Sequence, residues 1–325
     1  AEPVYASARD AFLLRFGEGY DETEARALIA DAGPLFAEAA YAAIQRGDNE
    51  TAVALADEGR GRLLAVALRL QALDLPPDQR QRVDELRADI RASLKAIDSA
   101  TEADRTGALS ALSAQRRALL DLVKAANTSE ERRGIALAEA RRIAAAGGAV
   151  ALPVITEHGG KLIVVTAPVG GSDIAVIDLP DLTPARLSEL LAGPSGKQAG
   201  GWIAAYFVNY LQGAEQTQRW PEWLDAVERL GPALWRLLGA RLDATLKERG
   251  IKRGAPLLWL PSGWLGVLPL GIAQNPAIKQ RLADDYEITI APSLEAVASA
   301  RRHSDNARPA TLAAIVNPTG DLPGA

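Results

Sequence analysis

The chain changes character once, at Gly147-Gly148, and this change limits the possible folds more than any other feature. Residues 1–146 are rich in Ala, Leu, Arg, Glu and Asp, with few Gly or Pro. β-Branched runs punctuated by Pro follow. A helix needs apolar residues every three or four positions, whereas a strand needs alternation or a short apolar run. The two stretches therefore cannot build the same kind of layer. The sequence predicts α plus α/β: a helical region over 1–146 and a mixed α/β region over 150–325, with a boundary near 146–150. The length of 325 residues suits two domains of ~150 residues each. All six Trp fall between Trp202 and Trp264, in the second region.

In the first region Leu35, Phe36, Ala39, Ala40, Ala43 and Ile44 form one apolar stripe. Gly47-Asp48-Asn49 breaks it: Gly47 suits a left-handed position after a helix, and Asp48 or Asn49 can cap the next one. That helix carries Ala52, Val53, Leu55 and Ala56 and is predicted to continue through Leu63, Leu64, Val66 and Leu68. The order of small residues around the turn resembles a tetratricopeptide repeat, and Tyr5–Ala32 reads as an earlier, poorer copy. Concave helical repeats bind partner proteins. Pro76-Pro77 ends the run. Val83, Leu86, Ile90, Leu94 and Ile97 then make a near-heptad seam, answered by Leu109, Leu112, Leu119, Leu122 and Val123 in a coiled-coil-like hairpin. Thr128-Ser129-Glu130-Glu131 is a capping box opening a helix with Ile135, Leu137 and Ile143. The Arg, Asp and Glu residues between these stripes read as a solvated face, not as a catalytic acid pair.

In the second region, Pro153–Thr156 and Lys161–Thr166 flank His158-Gly159-Gly160, which predicts a β-hairpin. Asp173–Leu179 is a third strand. Thr183-Pro184 is an N-cap with Pro at the first helical position. Gly193–Gly201 is a Gly/Ser loop, followed by a helix over Ile203–Leu211 and a long helix over Pro221–Arg249 that Gly231-Pro232 should kink. Leu257–Leu260 is a buried strand, Pro261-Ser262-Gly263 a turn, and Trp264–Leu270 runs on from it. Tyr286–Ile290 alternates as a strand with one face inward, Ser293 caps a helix over Leu294–Arg301, and Thr311–Val316 is a further strand. Asn317–Ala325 looks like a loop into another helix. A final strand without its covering helix leaves an apolar face exposed, which suggests that Ala325 is not the natural end of the domain.

Composition removes several classes of function. With 0 Cys, no disulfide, thiolate metal site or cysteine nucleophile is available in this chain. With 2 His, a three-histidine zinc site is impossible. The formal net charge of −5 argues against a broad basic surface for nucleic acid. No run of ~18 apolar residues is present to span a membrane. Ala1-Glu2-Pro3-Val4 lacks the basic start and apolar core of a signal peptide, and 0 Met points to a processed product or fragment. His158 reads as a turn residue, and His303 as a cation at a helix C-terminus. Gly196-Lys197-Gln198 lacks the earlier Gly and following hydroxyl of a phosphate loop. Ser172 and Ser262 are turn serines. Trp202, Trp220, Trp223 and Trp235 read as packing residues. No catalytic, cofactor-binding or metal-binding residue is assigned, and no cofactor is expected.

Three stretches carry a family resemblance. Leu257-Leu258-Trp259-Leu260-Pro261-Ser262-Gly263-Trp264-Leu265-Gly266-Val267-Leu268-Pro269-Leu270 is similar to the strand, Pro-Asp-Gly turn and Leu-x-x-(Ile/Leu)-Pro segment of the CHAT domain, with Ser262 where Asp is usual. Asp285–Ser293 resembles its next strand and Ala-Pro-Ser cap, and Val316–Ala325 its Asn-Pro-x-Gly run. Glu58-Gly59-Arg60-Gly61-Arg62-Leu63-Leu64 also looks like what precedes such domains. The resemblance covers residues ~35–325 and is strongest from ~255. It implies a caspase-like fold behind tetratricopeptide-like helices, and proteolysis by a Cys-His pair: the thiolate attacks a peptide carbonyl while backbone N–H groups hold the oxyanion. In the family both residues follow the Asn-Pro stretch, so none carries over. The chain is then expected to be the regulatory helical region plus the N-terminal half of the domain, cytoplasmic and inactive alone. The helices would take a protein partner, and the parent protein a peptide substrate, with no direct nucleic-acid contact and no membrane. The alternatives are a non-enzymatic helical-repeat scaffold with a degenerate α/β domain and, more remotely, a nucleotide-binding enzyme.

Overall fold

The computed structural model describes residues 22–60, 77–99, 101–126, 129–193, 201–211 and 220–305, with Tyr5 and Ala8. Helix α1 spans Glu22–Gln45 and α2 spans Asn49–Glu58. The turn between them is the predicted one: Gly47 has φ 77°, and the Asp48 carboxylate accepts the Thr51 N–H at 3.2 Å. The two helices touch at Gly59, where an added Cβ would lie 2.6 Å from the Phe36 Cβ. Residues 22–32 belong to α1 itself, and the rest of the expected earlier copy, apart from Tyr5 and Ala8, lies outside the described residues; Pro34 lies within the helix and removes one donor without ending it. Helix α2 also stops earlier than expected. Its ladder ends at Glu58, and the Arg60 side chain folds back onto the Ala56 carbonyl. Residues 61–76 lie outside the described residues, as does Thr128 of the capping box.

Helices α3 (Pro77–Ser99) and α4 (Glu102–Ala126) pair as the expected hairpin. Val83, Leu86 and Leu119 form its buried seam, with Ile90 and Leu122 partly covered. The apolar seam thins at Leu94, which is exposed, and a Ser93 Oγ–Gln115 Oε1 hydrogen bond of 2.9 Å joins the helices there. Helix α5 spans Ser129–Ala145.

The five-stranded sheet has the order β3-β2-β1-β4-β5. Its strands are β1 (Ala149–Thr156), β2 (Gly159–Val169), β3 (Ser172–Leu179), β4 (Ala255–Trp259) and β5 (Tyr286–Ile290). The first three form an antiparallel meander, and β4 runs parallel to both β1 and β5. The hairpin predicted around His158 is the β1–β2 turn, with Gly159 at φ 112°. Beyond the meander lie α6 (Pro184–Ala192), α7 (Trp202–Leu211), α8 (Trp220–Leu234), α9 (Ala240–Glu248), α10 (Leu282–Asp285) and α11 (Leu294–Asp305). The Thr183 hydroxyl caps α6 by accepting from the Arg186 N–H, with Pro184 at its start.

Side-chain alternation divides the core. Ala149, Ala151, Leu162, Val164, Leu257 and Trp259 face a cluster built by Leu187 and Leu191 of α6, Leu230 and Leu234 of α8, and Leu242 and Leu246 of α9. Val150, Leu152, Val154, Ile163, Val165 and Leu258 face the opposite cluster, built by Ala40 and Ala43 of α1, Ala52 and Val53 of α2, Ala136 and Leu137 of α5, and Leu294 of α11. Helices α1, α2 and α5, joined by α11, thus cover one face of the sheet.

Two expectations change. The predicted kink at Gly231-Pro232 is instead absorbed by a π-helical turn over Trp235–Gly239 that joins α8 to α9. The Gly231 carbonyl accepts the Gln274 N–H at 3.0 Å, and a Cβ on Gly231 would stand 2.7 Å from the Ile272 oxygen. After β4 the chain does not run on but coils into 3₁₀ turns over Gly263–Val267 and Leu270–Ile272, because burying Leu265, Leu268 and Leu270 together needs a tight turn. The strand expected at 311–316 and the loop after it lie outside the described residues.

The outer edge of β3 is occupied by cations. Arg249 donates to the carbonyls of Ser172 (2.7 Å) and Ile174 (3.3 Å), and Arg241 to that of Asp178. At the other edge, β5 pairs with β4 alone among the described strands.

Leu152, fully buried between two layers, sets the expected scale of core mutations. Leu152→Ala should cost about 2–5 kcal/mol in urea unfolding, whereas Thr183→Ala, which removes only the cap of α6, should cost about 1 kcal/mol.

Candidate functional site

Ligands of open α/β sheets bind outside the carboxyl ends of the strands. Here that edge is formed by the ends of β1, β4 and β5. Strand β1 outruns β4: the last β1–β4 partners are Ala151 and Trp259, and Leu260 N–H donates to the Ala151 carbonyl at 3.0 Å. The Pro153 carbonyl therefore projects past the end of β4. The Ser262 hydroxyl donates to it at 3.4 Å, and so does the Arg60 Nη2.

Arg60 leaves the end of α2 and is 6% exposed. Its Nε donates to the Leu260 carbonyl at 3.0 Å and its Nη1 to the Ala56 carbonyl. One guanidinium thus joins α2, β1 and the exit of β4. Burial lowers its pKa to about 10, against the field of Asp57. Asp57, 5% exposed, accepts the Leu294 N–H at 2.6 Å and so caps α11 from another part of the fold. The Ser293 hydroxyl caps the same turn by accepting from Ala296 N–H at 3.1 Å, as the sequence predicts. Loss of water raises the Asp57 pKa to about 6. The Leu294 N–H and the charge of Arg60 oppose that rise, and Glu295 adds to it. Outward from these charges the edge is apolar, with Trp264, Val267 and Ile290 exposed.

Among the described residues this arrangement holds backbone groups in place. The Ser262 and Ser293 hydroxyls serve carbonyl and cap, and no metal-holding cluster of His, Asp or Glu occurs among the described residues. His158 is exposed in the β1–β2 turn, its backbone N–H donating to Thr156 Oγ1 and its ring 6.2 Å from that of Tyr41. Ser172 donates to the Ile174 carbonyl in the β2–β3 turn. Trp202 and Trp235 pack against the core, and Trp223 lies 6.0 Å from the Tyr206 ring. The side chains of His303 and Trp220, and residues 196–198, lie outside the described set. Among the described residues no helix is long and apolar enough to cross a membrane.

Sequence reasoning missed Asp57 and Arg60. The signal was present: Asp57 stands four residues after buried Val53, and Arg60 four after buried Ala56, so both charges fall on the inward stripe. Glu139 likewise departs from the predicted solvated face. It is 3% exposed because α11 packs over α5, and Arg301 (3.1 Å) and Arg142 (2.7 Å) both donate to it. These two partners hold its carboxyl below the usual range despite its burial.

The family model of the CHAT domain matches residues 228–324. No curated protein and no solved structure matches the chain. The matched stretch includes β4, β5, α11 and the Leu260 and Leu294 ends of the buried contacts; Asp57 and Arg60 lie before it.

The raised Asp57 pKa has a definite sign. An acid whose folded pKa lies above its ordinary 3.8 contributes stability below that value and loses it as pH rises through about 6. Asp57→Asn keeps an acceptor for Leu294 and removes the titration. Between pH 4 and 7 the wild type should lose about 2 kcal/mol relative to Asp57→Asn, read by urea unfolding of both proteins across that range.

Proposed function

We propose, from this chain's place among CHAT domain proteins, that it serves a caspase-like cysteine endopeptidase as the partner-binding and scaffolding part. The helices before β1 receive a protein partner, and the sheet belongs to the peptidase fold. The observation that carries this reading is the match over 228–324, which falls on the strand-and-helix unit ending at the carboxyl edge. In such an enzyme a histidine activates a thiol, the thiolate attacks a peptide carbonyl, and backbone N–H groups stabilise the oxyanion. These 325 residues contain 0 Cys, so the nucleophile comes from elsewhere in the parent protein. The parent protein takes a peptide substrate, nucleic acid is not contacted directly, and the setting is cytoplasmic.

The same count of 0 Cys favours a second reading, a helical-repeat interaction scaffold whose α/β part has no catalytic duty. The coding sequence beyond Ala325 separates the two: a Ser/Thr-His-Gly-like segment followed by a strand and a Cys supports the peptidase, and their absence supports the scaffold. Under both readings the isolated chain should cleave no peptide. A fluorogenic peptide library incubated with it, with and without iodoacetamide, should give background rates, and iodoacetamide-sensitive turnover would refute the assignment.

A further inference from the structure

The helical layer meets the sheet mostly through small apolar side chains: Ala52, Val53 and Ala56 of α2 rest on the face that carries Val150, Leu152 and Val154. Such contacts are non-directional. The contacts of Arg60 and Asp57 are of another kind. Arg60 donates to carbonyls in α2, β1 and just beyond β4, and Asp57, three residues earlier, accepts the first N–H of α11. Hydrogen bonds weaken steeply with angle, so α2 cannot shift without dragging these partners or losing them. Burying a charge costs free energy even when hydrogen bonds answer it, so stability alone does not explain two buried charges at this junction. Directional linkage does.

We propose that Asp57 and Arg60 transmit the position of the α1–α2 hairpin to the carboxyl edge of the sheet, Arg60 to the ends of β1 and β4 and Asp57 to the start of α11. Both are positioning residues. That a docked partner uses this route rests on the functional reading above; the mechanical link does not.

Gly59→Ala supplies a lever, because its new Cβ would meet the Phe36 Cβ at 2.6 Å and force α1 and α2 apart. In the full 325-residue chain, amide hydrogen exchange then reads the response. Gly59→Ala should speed exchange at Leu260, Ala291 and Leu294 by about tenfold, while α9 on the opposite face keeps its rates. In an Asp57→Leu/Arg60→Met background, which removes both the acceptor and the donors, the same lever should leave these amides unmoved. A gentler variant, Arg60→Lys, keeps the charge but not the fork: the lever should lose its effect at Leu260 and keep it at Leu294. Uniform acceleration across both faces, or equal responses with and without the pair, would overturn the proposal. The measurement involves neither partner nor substrate, so failure of the peptidase reading leaves it intact, and its own failure leaves that reading standing.

Discussion

Strands β1 and β4 carry apolar side chains on both faces, so neither face can be left to water. Odd-numbered β1 residues turn toward α6, α8 and α9, and even-numbered ones toward α1, α2 and α5. Parallel pairing is found almost only where both faces are covered. Each fully buried Val or Leu adds about 1.5–3 kcal/mol over its exposed state, which makes α1, α2 and α5 a structural necessity of the sheet. Their Ala-rich stripes follow from this: Ala40, Ala43 and Ala52 bring helix backbones close to a surface already filled by Val150, Leu152 and Ile163.

Charge enters this apolar junction only where it is answered. Arg60 has carbonyl acceptors from three elements, Asp57 has a helix N-terminus, and Glu139 has two arginines. The three groups respond differently because their partners differ. Glu139 sits between two guanidinium groups and stays readily ionised, while Asp57, cut off from water and answered chiefly by backbone N–H groups at the start of α11, is pushed up to about 6. All three lie where the N-terminal helices meet the segment matched by the CHAT family, so the chemistry of the junction concerns orientation between parts.

Local signals were legible. Gly47, Asp48, Thr183-Pro184 and Ser293 each act through the backbone within a few residues, and each sits in the turn or cap its type demands. Long-range answers were not. That α2 ends at Glu58 depends on Pro153 and Leu260, which lie far along the chain. That the Gly231 carbonyl bonds the Gln274 N–H while the helix widens into a π turn at Trp235 depends on a segment far along the chain. The segment after β4 looked extended because Leu265, Leu268 and Leu270 are strand-compatible residues; only the depth of the pocket they fill selects 3₁₀ turns. The charged edge was hidden for the same reason, since a periodic pattern shows which residues turn inward and not which distant groups await them.

The two borders of the sheet are unlike. Along β3, Arg241 and Arg249 already occupy the outward carbonyls, and a foreign strand arriving there would have to displace two cations before making its first bond. Along β5, β4 is the one partner strand among the described residues. A strand approaching the meander side would therefore meet positive charge before any open acceptor.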